Sequence, residues 1–127
     1  MTRAVTLLLG VHAHQPVGNF PEVIEDAHRR CYKPFLETLN AYPDFRFAAH
    51  FSGWLLDWLR VRFPDDMEML AGMVRRGQVE MFSSGDTEPV LAAIPHRDRV
   101  GQLTALNDKL TAWTGVRPQG AWLTERV

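Results

Sequence analysis

Hydrophobic residues fall in short runs separated by helical patterns. Residues 5–11 are apolar except for Thr6 and Gly10, the signature of a strand buried on both faces. Residues 46–51, 79–82 and 120–123 make three further short, mostly apolar runs, read as strands two to four. Residues 21–30 have a helical pattern with Pro21 suited to a first turn. Pro34 should interrupt it, because an interior proline loses a hydrogen bond and clashes one turn back; a second helix is expected over residues 34–41. Ser52 is placed to cap a helix whose Trp54, Leu55, Trp58 and Leu59 share a face. Pro64-Asp65 opens another, with Met67, Leu70, Met73 and Val74 in one stripe, Arg75-Arg76 in its last turn and Gly77 as its stop. Val100, Leu103, Leu106, Leu110 and Trp113 mark a long helix before the fourth strand.

Strands alternating with helices imply parallel β-α units with right-handed crossovers. Both an open doubly wound sheet and part of a β/α barrel fit. The sequence stops just past the fourth strand with no helix to cover it, and both faces of a parallel sheet need cover. The expectation is therefore an α/β chain in which residues 1–127 form a partial β/α-barrel catalytic domain, about four β-α units, truncated after the fourth strand.

Composition narrows the function classes. The 127 residues carry 14 Lys+Arg against 15 Asp+Glu, without the basic excess of a nucleic-acid binder. No apolar run approaches the roughly 18 residues of a membrane span. The eight-residue stretch 4–11 leads into His12, His14 and Gln15 instead of a signal-peptide cleavage site. Cys31 is the one cysteine, which excludes an internal disulfide framework and any cysteine-based zinc site. A cytoplasmic, reducing location is expected, with Cys31 a small semi-buried residue.

Functional residues of parallel sheets sit at the C-terminal strand ends. Strand one delivers His12 and His14, strand two His50, strand three the acids Glu80 and Glu88, and strand four Glu125. His12 and His14 are two apart and share a face, as metal ligands, as donors to a polar ligand, or as strand-end histidines satisfied by the backbone. A catalytic zinc site would need a third ligand from His50, Glu80 or another strand. Glu80, next to Val79 and Met81, is a carboxylate within a parallel sheet, costly unless paired. Glu88-Pro89 is read as a solvated loop acid. Glu125 is either half of a surface ion pair with Arg126 or a carboxylate nucleophile. Trp122 offers an aromatic face of the kind on which sugar rings pack. Strand alternation puts Trp122 and Glu125 on opposite faces unless the chain bends at Thr124.

Five blocks together resemble glycoside hydrolase family 57, most closely its 4-α-glucanotransferase and α-amylase branch. They are Gly-Val-His-Ala-His-Gln-Pro-Val-Gly-Asn-Phe at 10–20, His-Phe-Ser-Gly at 50–53, Gly-Gln-Val-Glu at 77–80, Glu-Pro-Val-Leu-Ala-Ala-Ile-Pro at 88–95 and Trp-Leu-Thr-Glu-Arg-Val at 122–127. They come in the family's order and spacing; the sequence departs from it at Trp54, where relatives carry proline, and at Thr87, where an aromatic is usual. The resemblance implies a seven-stranded parallel β/α barrel acting on α-1,4-glucans or maltooligosaccharides with retention of configuration. It implies Glu125 as nucleophile, and His12, His14, Glu80 and Trp122 as residues shaping the pocket around the reacting sugar. It implies no metal and no cofactor. The acid/base of the family is an aspartate beyond position 127, so the chain alone is expected to be inactive. An exposed barrel edge would favour self-association. The rival readings are a metal-dependent deacetylase or α-mannosidase-like barrel using His12 and His14, and a non-catalytic carbohydrate-binding remnant.

Overall fold

A computed structural model describes residues 3–126. Strands β1 (Gly10–Ala13), β2 (Phe47–Phe51) and β3 (Val79–Met81) lie parallel and in chain order in one sheet. Helices α1 (Pro21–Ala27) and α2 (Lys33–Asn40) cross from β1 to β2, and α3 (Gly53–Arg62) and α4 (Pro64–Arg75) from β2 to β3. Helix α5 (His96–Thr114) follows β3.

The period of two along the strands sorts their side chains. Phe47, Ala49 and Phe51 of β2 and Val79 and Met81 of β3 are buried in one core with Ile24, Leu36, Leu55, Leu59, Leu70 and Leu106 from the helices. Ala48, His50 and Glu80 alternate with them and face the other way. That second face lies open over a groove of about 720 Å³ lined by Leu7, Leu9, Phe47, Glu80 and Phe82 among others. A parallel sheet with helices on one face only is what the opening segment of a β/α barrel wall looks like, so the expected fold class stands.

Helix α4 has the ends its sequence announces. Pro64 occupies its first turn, Asp65 and Asp66 lie at the positive end of its dipole and Arg75 at the negative end. Gly77, at φ 77°, turns the chain into β3. There its N–H donates to Val74 O at 2.9 Å and that of Gln78 to Met73 O at 3.0 Å, which closes the helix end.

Several expectations need correction. The first strand starts at Gly10, and Val5 and Leu8, about 90% exposed, lie outside it. Strand β2 begins only at Phe47, and Leu9 O accepts from Ala48 N at the foot of the ladder, so earlier residues have no strand beside them. Pro34 does not break the helix. A π-helical turn, His28–Tyr32, joins α1 to α2 and carries the chain past the proline. The same turn drives His28 into the interior, where it stacks on Phe63 at 4.0 Å and its Nε2 lies 2.8 Å from Asp66 Oδ2. Burial pushes the Asp66 carboxyl up, but its hydrogen bonds from His28 and Lys33 outweigh that and hold it below its ordinary range. Cys31, on this turn, is exposed instead of semi-buried.

Ser52 precedes α3 but its side chain caps nothing, and its Oγ is buried without a partner. The fourth strand is reduced to one parallel bridge, Ser83 with Ala121, followed by a 3-10 turn at Thr124–Arg126. Trp122 N donates to Ser83 O at 2.7 Å, but the backbone then turns left-handed at Glu125 and Arg126 and leaves the sheet.

Candidate active site

His12 and His50 are register partners on β1 and β2, so their side chains emerge side by side from the open face of the sheet. Their Nδ1 atoms are 2.7 Å apart and their ring centres 4.9 Å apart, close to end-on. Ser84, in the loop after β3, fixes the proton order. Its hydroxyl donates to Gly85 O at 2.8 Å, so its oxygen must accept from His50 Nε2–H, also at 2.8 Å. A neutral His50 then has a bare Nδ1, which accepts from His12 Nδ1–H, and His12 Nε2 is left as an acceptor.

His50 is neutral by a wide margin. Burial, reinforced by His12 and His14, pushes its pKa down to about 3. Burial, with a smaller contribution from His14, also lowers that of His12. His14, just past β1, lies with its ring parallel to His12 at 6.2 Å, and its Nδ1 contacts Glu88 Oε2. Trp122 also lies against His12, stacked at 4.3 Å and 9°. Trp122 remains 39% exposed, so this layer of parallel rings offers a partly open aromatic surface at the strand ends.

Glu88 corrects the expectation of a solvated loop acid: its side chain is 5% exposed. Its Oε1 lies 3.5 Å from His50 Nδ1 and 3.8 Å from His12 Nδ1 and has no hydrogen-bond partner. Burial raises its pKa above the ordinary glutamate value, against the opposing pull of His14. Glu88 is the residue that sequence reasoning placed in solvent, and Ser84 the one it passed over. The signal for Glu88 was the Glu-Pro step following strand three; for Ser84 there was none, since an isolated serine in a loop carries no pattern.

The other anticipated site residues are distributed differently. His12, His14 and Trp122 come together. Glu80 points from the same face but pairs in register with Ala48, opposite Gly10, one layer below His12 and His50. It is exposed to the groove and not part of the histidine cluster. Glu125 is exposed on the 3-10 turn three residues after Trp122, at φ 58°. The bend falls where strand alternation would have separated Glu125 from Trp122.

His12, His50 and Glu88 offer three metal-type ligand atoms within 4.8 Å of one another. This is not the His12/His14 pair of the metal-dependent reading, since His14 is engaged by Glu88 instead. The 2.7 Å between the two nitrogens is shorter than the roughly 3.3 Å separating ligand atoms around tetrahedral zinc. Facing each other end-on, they share a proton.

The family model for glycosyl hydrolase family 57 matches residues 8–127. A 4-alpha-glucanotransferase of Thermococcus kodakarensis is 46% identical over 123 residues, covering 97% of this chain and 19% of that protein. An alpha-amylase of Pyrococcus furiosus is 45% identical over the same length and share. The crystal structure of 4-alpha-glucanotransferase from Thermococcus litoralis superposes with a TM-score of 0.90 at 45% identity, covering 94% of this chain and 19% of that one. The chain thus spans about a fifth of the length of the relatives it matches. With the family model covering nearly all of it, the chain belongs to glycosyl hydrolase family 57.

Proposed function

We propose that these residues form the N-terminal part of the catalytic barrel of a retaining α-1,4-glucan-active enzyme, a 4-α-glucanotransferase or α-amylase, with Glu125 as its nucleophile. The observation that carries the reading is the meeting of His12, His14 and Trp122 at one end of the parallel sheet, with Glu125 three residues beyond that tryptophan. The names of the relatives support the substrate class.

The chemistry divides among these residues. Glu125 attacks the anomeric carbon of the bound glucosyl unit while a second carboxyl group protonates the departing oxygen. In a retaining enzyme the two carboxyls stand about 5–5.5 Å apart. The second is assigned to sequence beyond residue 127, and the 127-residue chain alone does not turn over. The resulting glycosyl-enzyme ester is resolved by water, giving hydrolysis, or by a sugar hydroxyl, giving transfer. His12 Nε2, the acceptor left by the Ser84–His50–His12 proton order, receives a sugar hydroxyl. Trp122 packs on the C–H face of a ring, and Glu80 binds hydroxyls deeper in the groove.

The test is Glu125→Gln in the protein produced from its complete reading frame, assayed on maltooligosaccharides. Turnover should vanish while oligosaccharide binding persists. A near wild-type rate would remove Glu125 from the role.

A further inference from the structure

Among the charged side chains at the strand ends, Glu88 is the one whose placement costs most and is explained least. Its carboxyl is buried, one oxygen has no hydrogen-bond partner, and its backbone sits at φ 53°, a region that disfavours side chains with a Cβ. Several independent tethers hold it there. Glu88 N donates to Gly85 O at 2.9 Å. Asp86 N donates to Gln102 O at 3.2 Å and Thr87 N to Gln102 Oε1 at 3.0 Å, which ties the loop to α5. Lys109 Nζ of α5 reaches Asp86 Oδ1 at 2.7 Å, and Gly53 N at the start of α3 donates to Asp86 O at 2.8 Å. Strain maintained by this many contacts is characteristic of a functional position.

What the loop presents is a carboxyl beneath three imidazoles. We propose that Glu88 is the positioning residue of the histidine cluster, its carboxyl deciding which nitrogen of His14 faces the substrate and reinforcing the His12 orientation that Ser84 sets through His50. Oε2 accepts the His14 Nδ1–H and so turns His14 Nε2 outward. Oε1, beside the His12–His50 contact, favours keeping a proton between the two Nδ1 atoms, because two bare lone pairs and a carboxyl oxygen would repel one another. His12 Nε2 and His14 Nε2 then emerge as a fixed pair of hydrogen-bonding groups. Orientation by a partner on the opposite ring nitrogen is how enzymes hold catalytic histidines.

This assignment rests on the proposed glucan reading for the word substrate, but the proton order can be read without any substrate. The protein from the complete reading frame is labelled with [15N]histidine and compared with Glu88→Met, which fills the space without an acceptor, and Glu88→Gln, which keeps an acceptor. In the wild type, His14 and His12 should carry their protons on Nδ1 and His50 on Nε2. Glu88→Met should lose the His14 pattern and roughly 10- to 100-fold in kcat/KM on maltooligosaccharides, the scale of one charge-assisted hydrogen bond. Glu88→Gln should recover the His14 pattern and part of the rate. An unchanged imidazole pattern in Glu88→Met overturns the assignment, whatever the rate does. If Glu88→Met does not fold, a wild-type spectrum with His14 protonated on Nε2 overturns it equally. A shifted pattern in a protein whose wild type shows no glucan turnover leaves Glu88 as the positioning residue and removes the glucan reading alone.

Discussion

Burying His50 as a neutral ring makes the sheet sensitive to acid. The unfolded imidazole takes a proton near pH 6.5, the folded one only at about 3. Between those values the unfolded state binds more protons, so stability falls as pH falls through the window. At pH 4.5 the unfolded chain has gained about two pH units of protonation that the folded one has not. At 1.36 kcal/mol per unit this is about 3 kcal/mol, roughly a hundredfold in an opening equilibrium. Glu88 works against this loss: burial raises its carboxyl pKa, so the folded state takes up its proton first and recovers part of the stability as pH drops. Asp66, whose pKa is lowered, keeps its contribution until the pH nears the ordinary value of 3.8, below the pH 4.5 at which the comparison ends. The assay is hydrogen-exchange protection of the β2 amides between pH 7.5 and 4.5, corrected for the intrinsic exchange rate. Protection should fall by up to about a hundredfold, and His50→Gln should remove most of the slope, leaving the smaller part due to His12, whose pKa burial also lowers. Protection that stays flat in the wild type, or a His50 ring that titrates near 6.5, refutes the reasoning.

Four further outcomes follow from the packing and the surface. A Cβ on Gly53 would fall on the Asp86 carboxylate and 2.8 Å from the Asp86 carbonyl oxygen, so Gly53→Ala should cost about 1–3 kcal/mol in urea unfolding. Leu70→Ala, in the fully buried stripe of α4, should cost about 2–5 kcal/mol. By contrast Arg30→Ala, which breaks an exposed i,i+4 pair with Asp26, should change stability by less than about 0.5 kcal/mol. The 127-residue chain expressed alone leaves Val5, Leu7 and Leu8 exposed beside an uncovered sheet face; it should sediment as dimers or larger species, and a monodisperse monomer at micromolar concentration would contradict this.

Much of the fold was legible in local pattern. Strand β2 and helix α4 lie within a residue of where their apolar spacing and end signals place them, because β2 is the central strand, paired on both sides, and α4 lays a continuous apolar stripe on the core. The pattern misled where burial needs a neighbour. The run at residues 5–9 reads as a strand but has none beside it, and residues 120–123 read as a strand yet pair through the single bridge of Ala121 with Ser83. Pro34 misled differently: the rule that proline ends a helix is local, whereas a π turn lets the helix continue and buries His28 against Phe63 and Asp66.

The site divides in the same way. His12 and His14 were legible because strand period and strand end are sequence properties. That His12 pairs with His50, and that His50 hands its proton to Ser84, depends on parallel register between segments 38 and 34 residues apart. Glu88 looked solvated because loops next to proline usually are; its burial comes from tethers to α3 and α5.

The central claim is that Glu125 carries the covalent step. The most direct measurement treats the protein from the complete reading frame with an activated glucosyl donor whose ring fluorine slows the second step, then maps the labelled peptide by mass spectrometry. The account predicts one glucosyl adduct, located on Glu125. An adduct on Glu80 or Glu88, or donor turnover through a reaction that inverts the anomeric centre, would contradict it.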